Sequence, residues 1–224
     1  MNKVRFQPFE DIISFHRKFD LSPATTMSQE DFTNLQDFRV KFMLEELSEY
    51  LNATTEEEAF DGLIDLVYVA LGTAYMRNFL TFNFNWNVIV GKAMGDTFGD
   101  LFEAIEREAR LIKWSLTETS HRRGMHFTNL MAENMEEQIL RYRDATSDLE
   151  AMVALISVTY IALFAAHARG FTRFREGWNR VHAANMTKIR ASGDADPLSM
   201  RKSKFDIVKP PGWMAPTLTD LLNK

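Results

Sequence analysis

Two pairs of acidic residues stand at helical spacing in neighbouring segments of the chain. Glu46 and Glu49 are three residues apart, and Asp61 and Asp65 are four residues apart, so each pair lies on one face of a helix. Apolar residues surround Asp65, and no basic residue stands near it in the sequence. Buried carboxylates are costly unless they are paired or bind a cation. The pattern therefore predicts a site for a hard divalent cation, with Mg²⁺ as the default and Mn²⁺ as a substitute.

Two antiparallel helices would bring these acids together. Helical periodicity runs from a Ser28 cap to about residue 51 and again over about 56–77, and the NATT turn at 52–55 separates the two segments. So short a link makes the helices antiparallel neighbours. A solvated acidic face is the alternative, and it suits the run at 56–58 better. Further helices are predicted at about 9–19, 85–93, 99–114, 127–143, 148–169 and 172–189, and the tail from Ala191 is predicted to be a strap.

Composition favours an all-α protein of the cytoplasm. The chain has 224 residues, 46% of them hydrophobic, with only 10 Gly and 6 Pro. A net charge of -5 argues against a nucleic-acid partner, and the absence of Cys excludes a disulfide framework. The start of the sequence does not resemble a signal peptide. The uncharged run 151–166 is shorter than the ~20 residues of a membrane span, so a buried core helix is expected and no membrane partner.

The chain also carries an internal repeat at a separation of 92 residues. Identical residues recur at this separation along both halves, including Glu45/Glu137, Tyr50/Tyr142, Arg77/Arg169, Phe79/Phe171 and Trp86/Trp178. Two similar helix pairs with coincidental identities are the alternative. The repeat predicts a helical bundle of two fused copies that form a pseudo-dimer, with a first repeat at 1–95, a second at 96–190 and the strap at 191–224.

The second copy has lost most of the acids. Where the first copy has Glu45, Glu46, Glu49, Asp61 and Asp65, the second has Glu137, Gln138, Arg141, Val153 and Ser157. Lys188, in VHAANMTK, stands opposite Asp96 of the first copy. One copy is therefore expected to hold the metal while the other contacts the substrate.

These motifs together resemble the all-α nucleoside triphosphate pyrophosphatase superfamily, in its phage and bacterial MazG-like branch. The resemblance rests on Glu46-Leu-Ser-Glu49, on Asp65 in DLVYVALGTA, on VHAANMTK and on KPPGW, and it covers about 5–79 and 171–216. It implies hydrolysis of a (deoxy)nucleoside triphosphate to the monophosphate and pyrophosphate. The chain departs from the family at Gly62, where a Glu is expected, and Asp61 is the predicted replacement.

The resemblance also implies roles for single residues. Metals held by Glu46, Glu49, Asp61 and Asp65 would bridge phosphate oxygens. Glu45 is predicted to orient the attacking water only because it stands next to these ligands in the sequence. Other side chains are predicted to contact the substrate: Lys188, Asn185, His182 and Lys209 at the phosphates, and Tyr68, Phe15 and His16 at the base. For Tyr68 and His182 a packed core residue is the alternative, and for Lys188 an exposed helix end.

Other functions fit parts of the sequence. The changes at Gly62 and in the second copy suit a nucleotide-binding sensor that turns over slowly, and a structural helical adaptor would need no ligand. A nucleic-acid arm built from the basic tail conflicts with the acidic body. Glu118 and His121 have metal-ligand spacing but lack a second such motif and are interpreted as polar surface. The preferred base and sugar stay open, as does pairing of the fused chain into a homodimer.

Overall fold

The computed structural model describes residues 7–24, 27–79 and 127–222. Its helices are α1 (Pro8–Lys18), α2 (Gln29–Asn52), α3 (Glu56–Met76), α4 (Phe127–Asp144), α5 (Asp148–Ala168) and α6 (Phe174–Asn185). Two short strands, β1 (Ile189–Arg190) and β2 (Ile207–Val208), and a 3-10 helix, Thr219–Leu221, follow. The all-α prediction is confirmed. The helices predicted at 85–93 and 99–114, the boundary at 95/96, and the residues Trp86, Asp96, Glu118 and His121 lie outside the described residues.

Capping residues define the hairpin of α2 and α3. Ser28 accepts a hydrogen bond from the backbone N–H of Asp31, at 3.1 Å, and so begins α2. Thr55 accepts from the N–H of Glu58 while the Glu58 carboxylate accepts from the N–H of Thr55, which makes a capping box at the start of α3. These bonds satisfy backbone donors that a helix end leaves free, so the tight turn predicted from the sequence forms.

Helices α4 and α5 form a second hairpin with the same turn chemistry. Ser147 accepts from the N–H of Glu150, and the Glu150 carboxylate accepts from Thr146. The bonded residues stand 92 positions after their counterparts in the first hairpin. The first and last residues of α5 likewise stand 92 positions after those of α3.

Long-range contacts between the two hairpins are reciprocal at the same separation. Arg77, after α3, pairs with Asp148 at the start of α5, and Arg169, after α5, pairs with Glu56 at the start of α3, each at 2.7 Å. Arg77 also lies over the ring of Tyr142, and Arg169 over that of Tyr50. The hairpins therefore contact each other about a local pseudo-two-fold axis.

The core lies between α3 and α5, which pack against each other and against α2 and α4. Both central helices are long and apolar enough to cross a membrane by length and composition alone. In the fold, the most apolar windows of α3 and α5 are 89% and 72% buried, respectively. The run at 151–166 thus lies in the bundle core, as expected.

Helices α1 and α6 pack on α3, and the strap follows α6. Helix α6 was predicted to reach 189 but ends at Asn185, because Ile189 and Arg190 pair with Val208 and Ile207 in an antiparallel ladder. The loop between the strands crosses α2, and the last segment returns to the start of α3, where Glu57 accepts from the N–H groups of Leu218 and Thr219. The tail is therefore tied to both helices of the first hairpin.

Candidate metal and nucleotide site

The acids predicted as ligands line one groove between α2 and α3. Glu46 is 5% exposed, and its Oε2 has no hydrogen-bond partner among the described residues. Glu49 is exposed, and Asp61 and Asp65 on α3 are partly exposed. The groove therefore holds one buried carboxylate at its base and three that solvent can reach.

The pKa values show that these carboxylates act on one another. Burial, followed by the charges of Asp65 and Glu49, raises the pKa of Glu46 well above its usual range. At Asp61 the causes are the same: burial, followed by the charges of Asp65 and Glu49, raises the pKa to about 7. Burial also raises the pKa values of Glu49 and Asp65. Repulsion among close carboxylates with limited hydration is the situation that a bound cation relieves.

A complete coordination shell is not assembled. Among the described residues, no three Asp, Glu or His side chains are arranged closely enough to hold a metal ion as they stand. The donor set nevertheless fits a hard cation, since the orphaned Glu46 oxygen and the acids beside it supply only oxygen ligands. A bound cation would have to draw these carboxylates together.

Two lysines face the acids: Lys188, just after α6, and Lys209, in the strap. The charges of Lys188 and Lys209 lower the pKa of Asp61 and of Asp65 against the effect of burial. Lys188 and Lys209 lie over the ring of Trp213, at 5.2 and 4.8 Å from its centroid. The indole N–H of Trp213 donates to the backbone carbonyl of Ala184 and fixes the ring against the end of α6. The KPPGW segment thus places both cations across the groove from the carboxylates.

Arg201 closes the same groove from the strap loop. Its guanidinium donates to both carboxylate oxygens of Glu45, each at 2.8 Å, and to Asp206 at 2.9 Å. It lies 3.9 Å from Glu46 and over the ring of Phe42, 3.7 Å from the centroid. Glu45, predicted to orient water, is therefore held by an arginine at the rim of the groove.

His182 supports Tyr68. The Tyr68 hydroxyl lies 2.9 Å from Nδ1 of His182, and Tyr68 also bonds the Asn185 side chain. Nε2 of His182 lies 3.8 Å from Asp11, whose other oxygen accepts from the indole of Trp178 at 2.8 Å. Tyr68 is thus a buried tyrosine with a satisfied hydroxyl, and it also lines the cavity beside the acids.

A cavity of about 50 Å³ extends inward from the acids. Glu46, Asp65, Asn185 and Lys188 lie at its polar end, and His16 and Arg39 lie among its other lining residues. The aromatic rings of Phe15, Phe42, Tyr68 and Phe205 contribute to its walls. Asn185 and Lys188 were predicted to share a helix face; Lys188 lies past the helix end, and both still reach this cavity.

Gly62 does not face the groove. A Cβ at this position would lie 3.0 Å from the backbone nitrogen of Tyr50 and 3.2 Å from its Cα. Those atoms are backbone, so a side chain at position 62 would have to push α2 and α3 apart by a few tenths of an ångström. At Asp61, the residue before it, burial and the charges of Asp65 and Glu49 raise the pKa.

Sequence reasoning missed three residues of this region. Arg201 and Trp213 were seen only as parts of a basic tail and of a family motif, and Arg39 only as part of a helix. The one local signal available was Arg39 itself, a charged residue at a position that α2 buries between Phe38 and Val40.

A family of known proteins matches part of the chain. Residues 12–79, which include α2, α3 and all four acids, match the family model of phosphoribosyl-ATP pyrophosphohydrolase. No significant match was found among curated proteins or among solved structures. The match supports a nucleotide pyrophosphohydrolase-type activity in general. Residues 12–79 are therefore similar to phosphoribosyl-ATP pyrophosphohydrolase, a family within the MazG-like all-α NTP pyrophosphatase superfamily.

Proposed function

We propose that the chain is a Mg²⁺-dependent nucleoside triphosphate pyrophosphohydrolase, which converts a (deoxy)nucleoside triphosphate, preferably a deoxynucleotide, to its monophosphate and pyrophosphate. One observation carries the proposal: the buried carboxylate of Glu46, whose Oε2 has no hydrogen-bond partner among the described residues, lies among three further acids and opposite two lysines. Such an arrangement is unfavourable when empty and complementary to a metal-bound polyphosphate.

Glu46, Glu49, Asp61 and Asp65 are the residues that would hold the metal. A metal ion held there would supply positive charge that offsets the negative charge developing on the phosphates. Asp61 takes the place of the glutamate that the family has one residue later. The close approach of α2 at Gly62 and the raised pKa of Asp61, about 7, support this assignment.

The cations across the groove would bind the leaving group. Hydrolysis forms a bond from a water oxygen to the α-phosphorus and breaks the bond to the bridging oxygen of pyrophosphate. Negative charge then grows on pyrophosphate, which Lys188 and Lys209 can stabilise. Asn185, beside Lys188 in the cavity wall, can donate to a phosphate oxygen or to the sugar.

Glu45 would take the proton from the attacking water. Both of its oxygens accept from Arg201 in the ligand-free protein, so it can serve as a base only after Arg201 turns to another acceptor. A phosphate oxygen is such an acceptor, because the planar guanidinium binds phosphate in the same two-pronged way as it binds carboxylate. Substrate binding would thus release the base.

A gene duplication explains the organisation of the chain best. The capping bonds and the reciprocal Arg77–Asp148 and Arg169–Glu56 pairs recur at 92 residues, the separation of the sequence repeat. In this proposal a former homodimer became one chain, and the acids survived in the first copy only.

A nucleotide sensor is the second candidate. The grip of Arg201 on Glu45 and the incomplete metal shell favour a protein that binds nucleotide without turning it over. It would bind the same ligands in the same groove, so the two candidates differ in product formation alone.

The test is pyrophosphate release from the four NTPs and four dNTPs, with Mg²⁺ and with EDTA. We expect metal-dependent release with the monophosphate as co-product, and loss of turnover in Glu49→Ala and Asp65→Asn with helicity unchanged. Glu137→Gln, at the position equivalent to Glu45 in the second hairpin, is the matched control and should keep full activity. Nucleotide binding without any release would favour the sensor, and activity that survives both acid substitutions would overturn the metal site.

A further inference from the structure

We propose that the cavity beside the acids receives the nucleobase, and that His16 and Arg39 select a base with a lactam edge, one N–H beside a carbonyl oxygen, as in uracil, thymine and hypoxanthine. This inference rests on the proposed function and names its substrate class. It is carried by a buried nitrogen of His16 that has no hydrogen-bond partner among the described residues, and by the buried guanidinium of Arg39 beside it.

His16 supplies a single fixed acceptor. The residue is 1% exposed, and its Nδ1 lies 2.8 Å from the backbone carbonyl of Ile12. A carbonyl only accepts, so Nδ1 carries the hydrogen and Nε2 has a lone pair. Nε2 is buried and has no partner among the described residues. Burial lowers the pKa of His16 to about 3, so the ring stays neutral and Nε2 stays an acceptor at any pH near 7.

Arg39 supplies donors in excess. Its Nε donates to Thr73, at 2.9 Å, and its Nη2 to the carbonyl of Val69, at 2.6 Å. A guanidinium has five N–H donors, and no carboxylate forms an ion pair with Arg39 within the described part of the chain. The side chain is 6% exposed. A buried cation with no carboxylate in direct contact favours an electron-rich acceptor.

Gly72 leaves room for these two groups. A Cβ at this position would lie 2.9 Å both from Nη2 of Arg39 and from Cε1 of His16. The arginine and the histidine therefore lie together over the bare backbone of α3, and any side chain here would push one of them out of the cavity wall.

The second hairpin shows that packing alone does not require this polar group. The positions 92 residues after Arg39, Gly72 and Thr73 are occupied by Met131, Phe164 and Ala165. Met131 and Ala165 are buried, so an apolar side chain satisfies the same position in the same kind of hairpin. Of the two hairpins, only the one with the acids combines Arg39, Gly72 and Thr73. This coincidence points to a ligand.

The count of donors and acceptors selects the base. One acceptor and several donors match an edge with a single N–H and strong carbonyl oxygens, which is the lactam edge. An amino edge, as in cytosine or adenine, brings two hydrogens on one nitrogen to a single lone pair at His16, and one of them would be buried without a partner. A charged guanidinium is also better satisfied by a carbonyl oxygen, which has two lone pairs, than by a ring nitrogen with one.

A base can enter the cavity only if the strap moves outward. A base ring is larger than a cavity of about 50 Å³, and Phe205 and Ile207 of the strap are among its lining residues. Because they belong to the loop and strand around Arg201, their outward shift accompanies the release of Glu45 proposed above. The small ring of uracil would need the least displacement.

The test uses analogues that cannot be hydrolysed between the α- and β-phosphates. Calorimetric titrations of the full chain with Mg²⁺ would compare the α,β-imido forms of dUTP and dCTP, and of dITP and dATP. Each pair differs in lactam against amino edge. We expect the lactam member to bind about tenfold more tightly, the ratio that one unpaired buried group typically produces.

Two variants and one control assign the preference to these side chains. His16→Phe removes the acceptor, and Arg39→Met copies the second hairpin; in both, the ratio within each pair should fall to about one. Arg17→Gln, on the exposed face of α1 next to His16, should keep it. Equal binding of the paired analogues by the wild type, or an unchanged ratio in both variants, would overturn this inference and leave the pyrophosphohydrolase intact. Absence of binding by every analogue, together with no pyrophosphate release, would overturn the proposed function itself.

Discussion

Asp61 makes the metal site testable through protein stability, without any assay of turnover. Its pKa is raised from 3.8 to about 7, by burial first and then by Asp65 and Glu49. The folded protein therefore holds a proton at Asp61 that the unfolded chain has already lost between about pH 4 and pH 7. In that window the unfolded state binds fewer protons, so the free energy of unfolding must fall as pH rises.

The size of the effect follows from the shift. At 1.36 kcal/mol per pKa unit, the full change would be about 4 kcal/mol; partial hydration and the shared titration of the acids reduce it to ~2 kcal/mol. Asp61→Asn keeps the shape of the side chain and removes the charge. Without metal, the variant should match the wild type near pH 4 and be more stable by ~2 kcal/mol near pH 8.

Urea unfolding followed by circular dichroism, at several pH values in EDTA and in Mg²⁺, measures this difference. Exposed acids with lowered pKa values, such as Glu57 and Glu58, contribute equally to both proteins and cancel. Mg²⁺ should reverse the order at pH 8, because only the wild type gains its full binding energy. A stability difference that does not change with pH, or that Mg²⁺ leaves untouched, would refute the account of the acids as an unpaired cluster awaiting a cation.

Four further substitutions test the surroundings of the site. Gly62→Ala should destabilise the protein by ~1–3 kcal/mol in urea unfolding, since its Cβ meets backbone atoms of α2; a neutral result would show that the helices can separate. Trp213→Leu should raise KM for the triphosphate severalfold with little change in kcat, because it frees both lysines that its ring orders; an unchanged KM would remove the strap from substrate binding. Arg77→Met and Arg169→Met should cost similar amounts, ~1–2 kcal/mol each, as each loses one ion pair and its ring contacts, and clearly unequal costs would contradict the pseudo-two-fold relation.

The parts of the molecule that follow from local rules could be predicted from sequence. Ser28 and Thr55 satisfy free backbone donors within three residues of themselves, so the limits of the first hairpin are encoded locally. The approach of Glu46 and Asp65 follows from helix geometry and one tight turn. Neither step needs any knowledge of the rest of the chain.

The parts contributed by the strap could not be predicted in this way. Arg201 reaches Glu45 across 156 residues of sequence, and no periodicity relates a loop arginine to one particular glutamate. Trp213 is fixed by a backbone carbonyl of α6, a contact that depends on where the strap turns back. These positions follow from the path of the strap, which only the folded chain defines.

Gly62 shows how the register of a helix decides which residue can reach the groove. In the sequence it stands where the resembled family has a glutamate, and Asp61 is the predicted replacement. In the fold a Cβ at position 62 would lie 3.0 Å from the backbone nitrogen of Tyr50 on α2, whereas burial and the charges of Asp65 and Glu49 raise the pKa of Asp61, the residue before it. A register difference of one residue moves a helical side chain by about 100°, which is enough to exchange a packing position for a ligand position.

The gene duplication proposed above would explain why the chain keeps a second hairpin that lacks the acids. The first hairpin and α1 carry several features that work against folding: acids that repel one another, a buried arginine that forms no ion pair within the described residues, and a histidine nitrogen with no hydrogen-bond partner there. The second hairpin has helices at the equivalent positions. It has Met131, Val153 and Ser157 where the first hairpin has Arg39, Asp61 and Asp65. It also supplies the helix α5, whose 21 residues are almost entirely apolar, as the other half of the core. Marginal stability allows only a few kcal/mol of such strain, so a fused partner without a site of its own lets the first hairpin keep unfavourable charges until its ligand binds.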